Sequence, residues 1–144
     1  MKSWEDYKND WILLLEAGFI AVNQADEDSA LKIFKAAELL KPKSPLPKVG
    51  FGYLHLHKLE LKQACKMFEA ALEIDPNNEM ARALLGISMS LAPTSMDKGE
   101  KILEQTIRSN DPLIKNLSET AIDFVEKFLK KAPSPIEGQH RKHH

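Results

Sequence analysis

Residues 18–42, GFIAVNQADEDSALKIFKAAELLKP, and residues 52–76, GYLHLHKLELKQACKMFEAALEIDP, superimpose at an offset of 34. Glycine falls on glycine (Gly18, Gly52), alanine on alanine twice (Ala30 and Ala64, Ala37 and Ala71), phenylalanine on phenylalanine (Phe34, Phe68) and proline on proline (Pro42, Pro76). Gly86 continues the glycine series. A fixed interval of about 20 to 50 residues marks an array of like units that bury their apolar faces by stacking. Each unit reads as an apolar-periodic helix, a short break and a second helix ending near a proline, with units at 11–44, 45–78 and 79–112. The shared residues are what such a pair needs. Gly18 or Gly52 lets the first helix approach the second, the alanines keep the crossing tight, and Phe34 or Phe68 plugs the gap beside it.

The third unit departs from this pattern. The segment Ala92-Pro93-Thr94-Ser95-Met96-Asp97 lengthens its internal turn, so that Gly99, Leu103 and Thr106 fall one position late and Pro112 two late. Outside the units, Ser3 can cap a helix that runs through Trp4, Tyr7 and Trp11 into the first unit. Asp111-Pro112 marks another helix start. Ile114, Leu117, Ala121, Val125 and Phe128 then form an apolar stripe, widened by Phe124 and Leu129, of the kind that closes the open end of a stack. The expected helices are 4–23, 27–41, 46–58, 61–74, 78–91, 96–109 and 112–131, in one domain over 1–132, followed by an unstructured tail at 133–144.

These intervals and residue types resemble the tetratricopeptide repeat (TPR) family. The implied fold is all-α, a three-repeat TPR α-solenoid with an extended first helix and a C-terminal capping helix. Members of the family bind polypeptides in a concave groove lined by the first helix of each repeat. Carried over, that lining is Ile12, Leu15, Phe19, Val22 and Asn23 in repeat one and Leu46, Val49, Tyr53, Leu56 and His57 in repeat two. Repeat three supplies Met80, Ala83, Ile87, Ser90 and Leu91. All but Asn23, His57 and Ser90 are apolar or aromatic, and an apolar patch of that size on a soluble protein marks an interaction site. The alternative is that the capping helix or the N-terminal extension folds back to fill it. Relatives that grip a chaperone's carboxylate tail carry Lys, Arg and Asn on the inner positions. Here those positions hold Ile12, Leu15, Glu16 and Phe19, then Leu46, Val49, Gly50 and Tyr53, so the clamp is absent.

Composition narrows the function classes. A formal charge of −1 gives no global reason to bind nucleic acid. Cys65, the single cysteine, rules out an intrachain disulfide and suits a reducing compartment, hence a cytoplasmic protein. The apolar run from Trp11 to Val22 is too short to span a membrane, and Glu5 and Asp6 stand where a signal peptide would be basic. Gly50-Phe51-Gly52 lacks the further glycine of a phosphate loop, and His55 and His57 lie on different faces of a helix. Cys65 reads as a buried, inert thiol, and Glu69, Glu73, Glu100 and Glu104 as solvated helix faces with local ion pairs. The reading is of a binding protein, with no enzyme activity, cofactor or metal site.

Size and groove chemistry together resemble the small bacterial type III secretion chaperones, those of the needle subunit first and those of the translocators second. The resemblance implies a client that is a short, amphipathic, self-associating helical protein held before secretion. It also implies a second small helical co-chaperone, for which Trp4, Tyr7 and Trp11 would form the docking face. The competing class is an adaptor or scaffold subunit of a permanent complex.

Overall fold

A computed structural model describes residues 3–130. Seven α-helices follow one another among them: α1 Trp4–Asn23, α2 Glu27–Leu40, α3 Leu46–His57, α4 Leu61–Ile74, α5 Glu79–Ser90, α6 Met96–Thr106 and α7 Pro112–Phe124. A π-helical turn, Val125–Lys130, continues α7. Each helix packs chiefly on its sequence neighbours, and the first helices α1, α3, α5 and α7 form the inner layer. This is the expected TPR solenoid. The tail at 133–144, and residue 131 at the expected end of the last helix, lie outside the described residues.

Local chemistry accounts for the helix starts. Ser3 and Asp6 form a reciprocal capping box on α1. Asp26, Asn78 and Asp111 each accept a backbone N–H from the first turn that follows, and Pro112 occupies a position that needs no donor. The turn within repeat one passes through Ala25 at φ 59°, and the turn within repeat two through Leu59 at φ 58°. In repeat three the equivalent residue is Pro93, whose ring holds φ near −65° and forbids that left-handed turn. The chain takes a longer turn instead, and α6 starts one residue late. Gly99, Leu103 and Thr106 are accordingly buried in α6, together with Glu100.

Two core clusters result. Trp11, Leu15, Ala21, Val22, Ala30, Phe34, Ala37 and Leu54 form one, and Val49, Ala64, Phe68, Ala71, Ala81, Leu84 and Leu85 the other; Phe19 and Tyr53 pack against both. The Phe34 ring is held between two glycines, because a Cβ on either Gly18 or Gly50 would overlap it. Gly50, which sequence reasoning weighed as part of a failed phosphate loop and as an inner clamp position, is thus a packing residue. The same relation holds between Gly52 and Phe68.

The capping helix differs in part from expectation. Ile114 and Val125 are buried, and Ser118 is buried with its Oγ 2.6 Å from Thr106 Oγ1 of α6. Phe128 of the expected stripe is 63% exposed, and Phe124 and Leu129 are also exposed. A π turn holds more residues than an α turn, so positions after Val125 rotate off the stripe. Glu100 is another departure. It is buried, not solvated, and is ion-paired with Lys130 at the end of the π turn.

Candidate functional site: an apolar concave groove

The inner layer bears an open hollow of about 440 Å³ lined by Phe19, Leu46, Val49, Tyr53, Asn78, Met80, Leu84 and Leu117. Its wall carries no ionisable group except the Tyr53 phenol, whose hydroxyl donates to Asn23 Oδ1 at 2.7 Å. The Asn78 carboxamide oxygen is engaged as the α5 cap, accepting from Ala81 N at 2.9 Å. A second hollow of about 250 Å³ continues along Ile87, Ser90, Leu91, Leu117, Thr120, Ala121, Phe124 and Val125. Leu117 stands in both walls.

The floor is an aromatic series. Phe19 meets Phe34 edge-on at 5.3 Å and Tyr53 at 5.4 Å between centroids, and Tyr53 meets His57 at 4.4 Å. These rings tie α1 to α3, and the Tyr53–Asn23 hydrogen bond repeats the tie at the rim. An apolar wall with few polar groups can take an uncharged, bulky side chain. It would strongly disfavour a carboxylate or ammonium, which would be desolvated without a partner.

The twelve expected apolar lining residues separate into groups. Phe19, Leu46, Val49, Tyr53 and Met80 line the larger hollow, and Ile87 and Leu91 the smaller. Leu15, Val22 and Ala83 belong to the core, at 4%, 2% and 0% exposure, because first helices packed side by side close over their flanks. Leu56 is half-buried against the second cluster, and Ile12 is exposed outside both hollows. Sequence reasoning missed Leu84 and the contribution of α7. The 34-residue interval held the second signal, since Leu15, Val49, Ala83 and Leu117 share one register, as do Phe19, Tyr53, Ile87 and Ala121. The α7 helix is placed as the first helix of a fourth repeat. It forms a wall of the groove, and among the described residues nothing fills the hollows.

Trp11 is not part of an exposed aromatic face. It is buried, its indole Nε1 donates to the Ala37 carbonyl at 3.0 Å, and Lys41 Nζ lies 4.4 Å from its ring centroid. The side chains of Trp4 and Tyr7 lie outside what is described. Cys65 is half-buried, not enclosed, in a convex cleft between α4 and the α5–α6 turn; burial, with Glu69 adding to it, pushes its thiol pKa up. His55 Nδ1 lies 3.0 Å from Glu60 Oε1. Among the described residues there is no cluster fit for a metal ion and no helix long and apolar enough to cross a membrane.

No protein-family model matches the chain, and no curated protein matches it in sequence. Among solved structures it is similar to the Sgt2 TPR domain from Aspergillus fumigatus, with a TM-score of 0.61 and 18% identity, over 88% of this chain and 85% of that one. At that identity the likeness is one of fold.

Proposed function

We propose that this chain is a polypeptide-binding chaperone whose client lays an apolar helical stripe into the groove between α1, α3, α5 and α7. The observation that carries the reading is the larger hollow, open and apolar, with the Tyr53 hydroxyl and the Asn78 carboxamide oxygen already bonded. A TPR solenoid is a scaffold for binding protein, and helix-in-groove recognition suits such a lining. A client with a matching stripe would pair with its own copies when free. The client we favour is therefore a small, secreted, self-associating helical subunit. The type III secretion needle subunit, and after it a translocator, is the specific candidate that the chain's size and groove chemistry resemble. A permanent adaptor role is the other reading of the same groove.

The variant that tests this is Leu46→Glu, because Leu46 lines the hollow and is 37% exposed, whereas Phe19 and Tyr53 also hold the two cores together. Losing one apolar anchor of about 1.5–3 kcal/mol predicts roughly 10- to 100-fold weaker client binding with unchanged helical circular dichroism. In light scattering, an equimolar amount of the native chain should delay fibre growth of the needle subunit and Leu46→Glu should not. Equal growth in all samples, where gel filtration still shows a complex, would favour the adaptor.

A further inference from the structure

On the convex side, Lys58 at the end of α3 bridges back to α2. Its Nζ lies 2.7 Å from Glu27 Oε1 and 3.2 Å from Glu60 Oε1, and Glu60 in turn lies 3.0 Å from His55 Nδ1. Leu54 is buried between the same two helices, clustered with Phe34 and Ala37. One 34-residue interval later these positions hold Leu61 for Glu27, Met89 for His55, Ala92 for Lys58 and Thr94 for Glu60. Ser88 replaces Leu54, and Cys65 replaces Leu31. The bridging charges are gone, and the changes at 65, 88 and 92 each shorten a side chain. A cleft of about 380 Å³ opens there between α4, α5 and the α5–α6 turn, and all six of these residues line it. The hydroxyls of Ser88 and Ser95 in its wall donate to the Leu84 and Met89 carbonyls, both at 2.8 Å, so the wall is largely apolar.

The rim is charged. Lys62 and Lys66 stand on it, one helical turn apart and both exposed, with Glu69 the one acid in the lining. Among the described residues neither lysine has an ion-pair partner, whereas Lys48, Lys58, Lys127 and Lys130 do. Like charges at that spacing repel, and Lys62 lies in the first turn of α4, where the helix dipole disfavours a cation. The first turn of α2 carries Glu27 and Asp28 instead. A carboxylate brought from outside would offset both costs.

We propose that this convex cleft is an interface for an acidic segment of a different polypeptide, which seats an apolar side chain among Leu61, Met89 and Ala92 and lays a carboxylate against Lys62 and Lys66. Charge selects that occupant. Residues 131–144 of this chain carry Lys131, Arg141 and Lys142 against the single acid Glu137. In a second copy, the convex acids Glu27 and Glu60 are already held by Lys58. The cleft shares no lining residue with either hollow of the groove, so it stands or falls independently of the client.

The probe is a dye-labelled synthetic peptide in which a leucine–phenylalanine pair is flanked by aspartates, titrated into the full chain at low salt and followed by fluorescence polarisation. Saturable binding is expected. Lys62→Glu with Lys66→Glu should weaken it about tenfold or more while helical circular dichroism is unchanged, since both side chains are exposed. Leu61→Glu with Ala92→Lys rebuilds the bridge that repeat one carries and should close the cleft, with a like loss of binding and no fall in the thermal midpoint. The groove variant Leu46→Glu should bind the peptide as the native chain does. The proposal is overturned if the peptide does not bind, if the charge-reversed chain binds it equally, or if rebuilding the bridge changes nothing. It is also overturned if peptides with serines for the apolar pair, or lysines for the aspartates, bind as well. Three further results would name another occupant or place and so overturn it. Loss of binding in Leu46→Glu would put the peptide in the groove, and a native dimer in sedimentation equilibrium that the charge reversal dissociates would make the occupant a second copy. Tighter peptide binding by Ile136→Ser would make it the chain's own residues beyond 130.

Discussion

At Gly99 an added Cβ would meet the backbone, 2.6 Å from the Gly86 carbonyl oxygen and against the Ser90 amide, whereas at Gly86 it would meet only Leu103 and Ile102 side-chain atoms at 3.0 Å or more. The two substitutions to alanine should therefore part company, although both gain about 1 kcal/mol of helix propensity. Gly86→Ala is expected to be near neutral. Gly99→Ala should cost about 2 kcal/mol net, because α5 and α6 must separate where they cross, and its thermal midpoint should fall by about 5 °C or more. Equal midpoints for the two variants in calorimetry would mean that the crossing can relax. Gly99 also shows the limit of reading residues by register alone: a glycine one place late looks like decay of the repeat, and only the crossing shows that it replaces the alanines Ala30 and Ala64 at a tighter approach.

At the scale of elements, the α2 helix starts on Asp26, whose carboxylate accepts from Ser29 N at 3.2 Å. Its bonds to Ser29, with Lys32 nearby, hold the carboxyl below its ordinary range. A depressed folded value means that this contribution is present above the unfolded value near 3.9 and is lost as the pH falls below it. Asp26→Ala should lower stability at pH 7, as a lost cap does. The gap between the two urea midpoints should narrow from pH 5 down to pH 2.5, and a gap that stays constant over that range would assign the loss to packing. Helix positions were largely legible before the structure, because caps and the 34-residue interval are local signals. The widened end of α7 was not, since Phe124, Val125 and Phe128 keep a helical spacing in sequence. What distinguishes them is a change of turn size and the reach of Lys130 to Glu100, a long-range pairing with no local mark.

Across the whole molecule, stability is a sum over neighbouring helices, since each element packs chiefly on those next to it. A chain ended after Asn110 would uncover Leu103 and Thr106, strip the larger hollow of Leu117, and leave Glu100 without Lys130. Such a truncation should lower the thermal midpoint by about 10 °C or more and bind an environment-sensitive apolar dye, while amide exchange in α1–α3 stays near native levels. Uniformly faster exchange from α1 to α6 would instead show a single cooperative body. The groove was the less legible part for the same reason. Family positions name residues on one helix, but whether Leu15, Val22 and Ala83 face a ligand or a neighbour depends on how closely successive helices lie together. The two halves of the core touch through Phe19 and Tyr53. Because those rings also form part of the wall of the larger hollow, whatever wedges into it should act on a joint between the halves, and the empty solenoid should behave as a compliant spring that stiffens along its length when loaded.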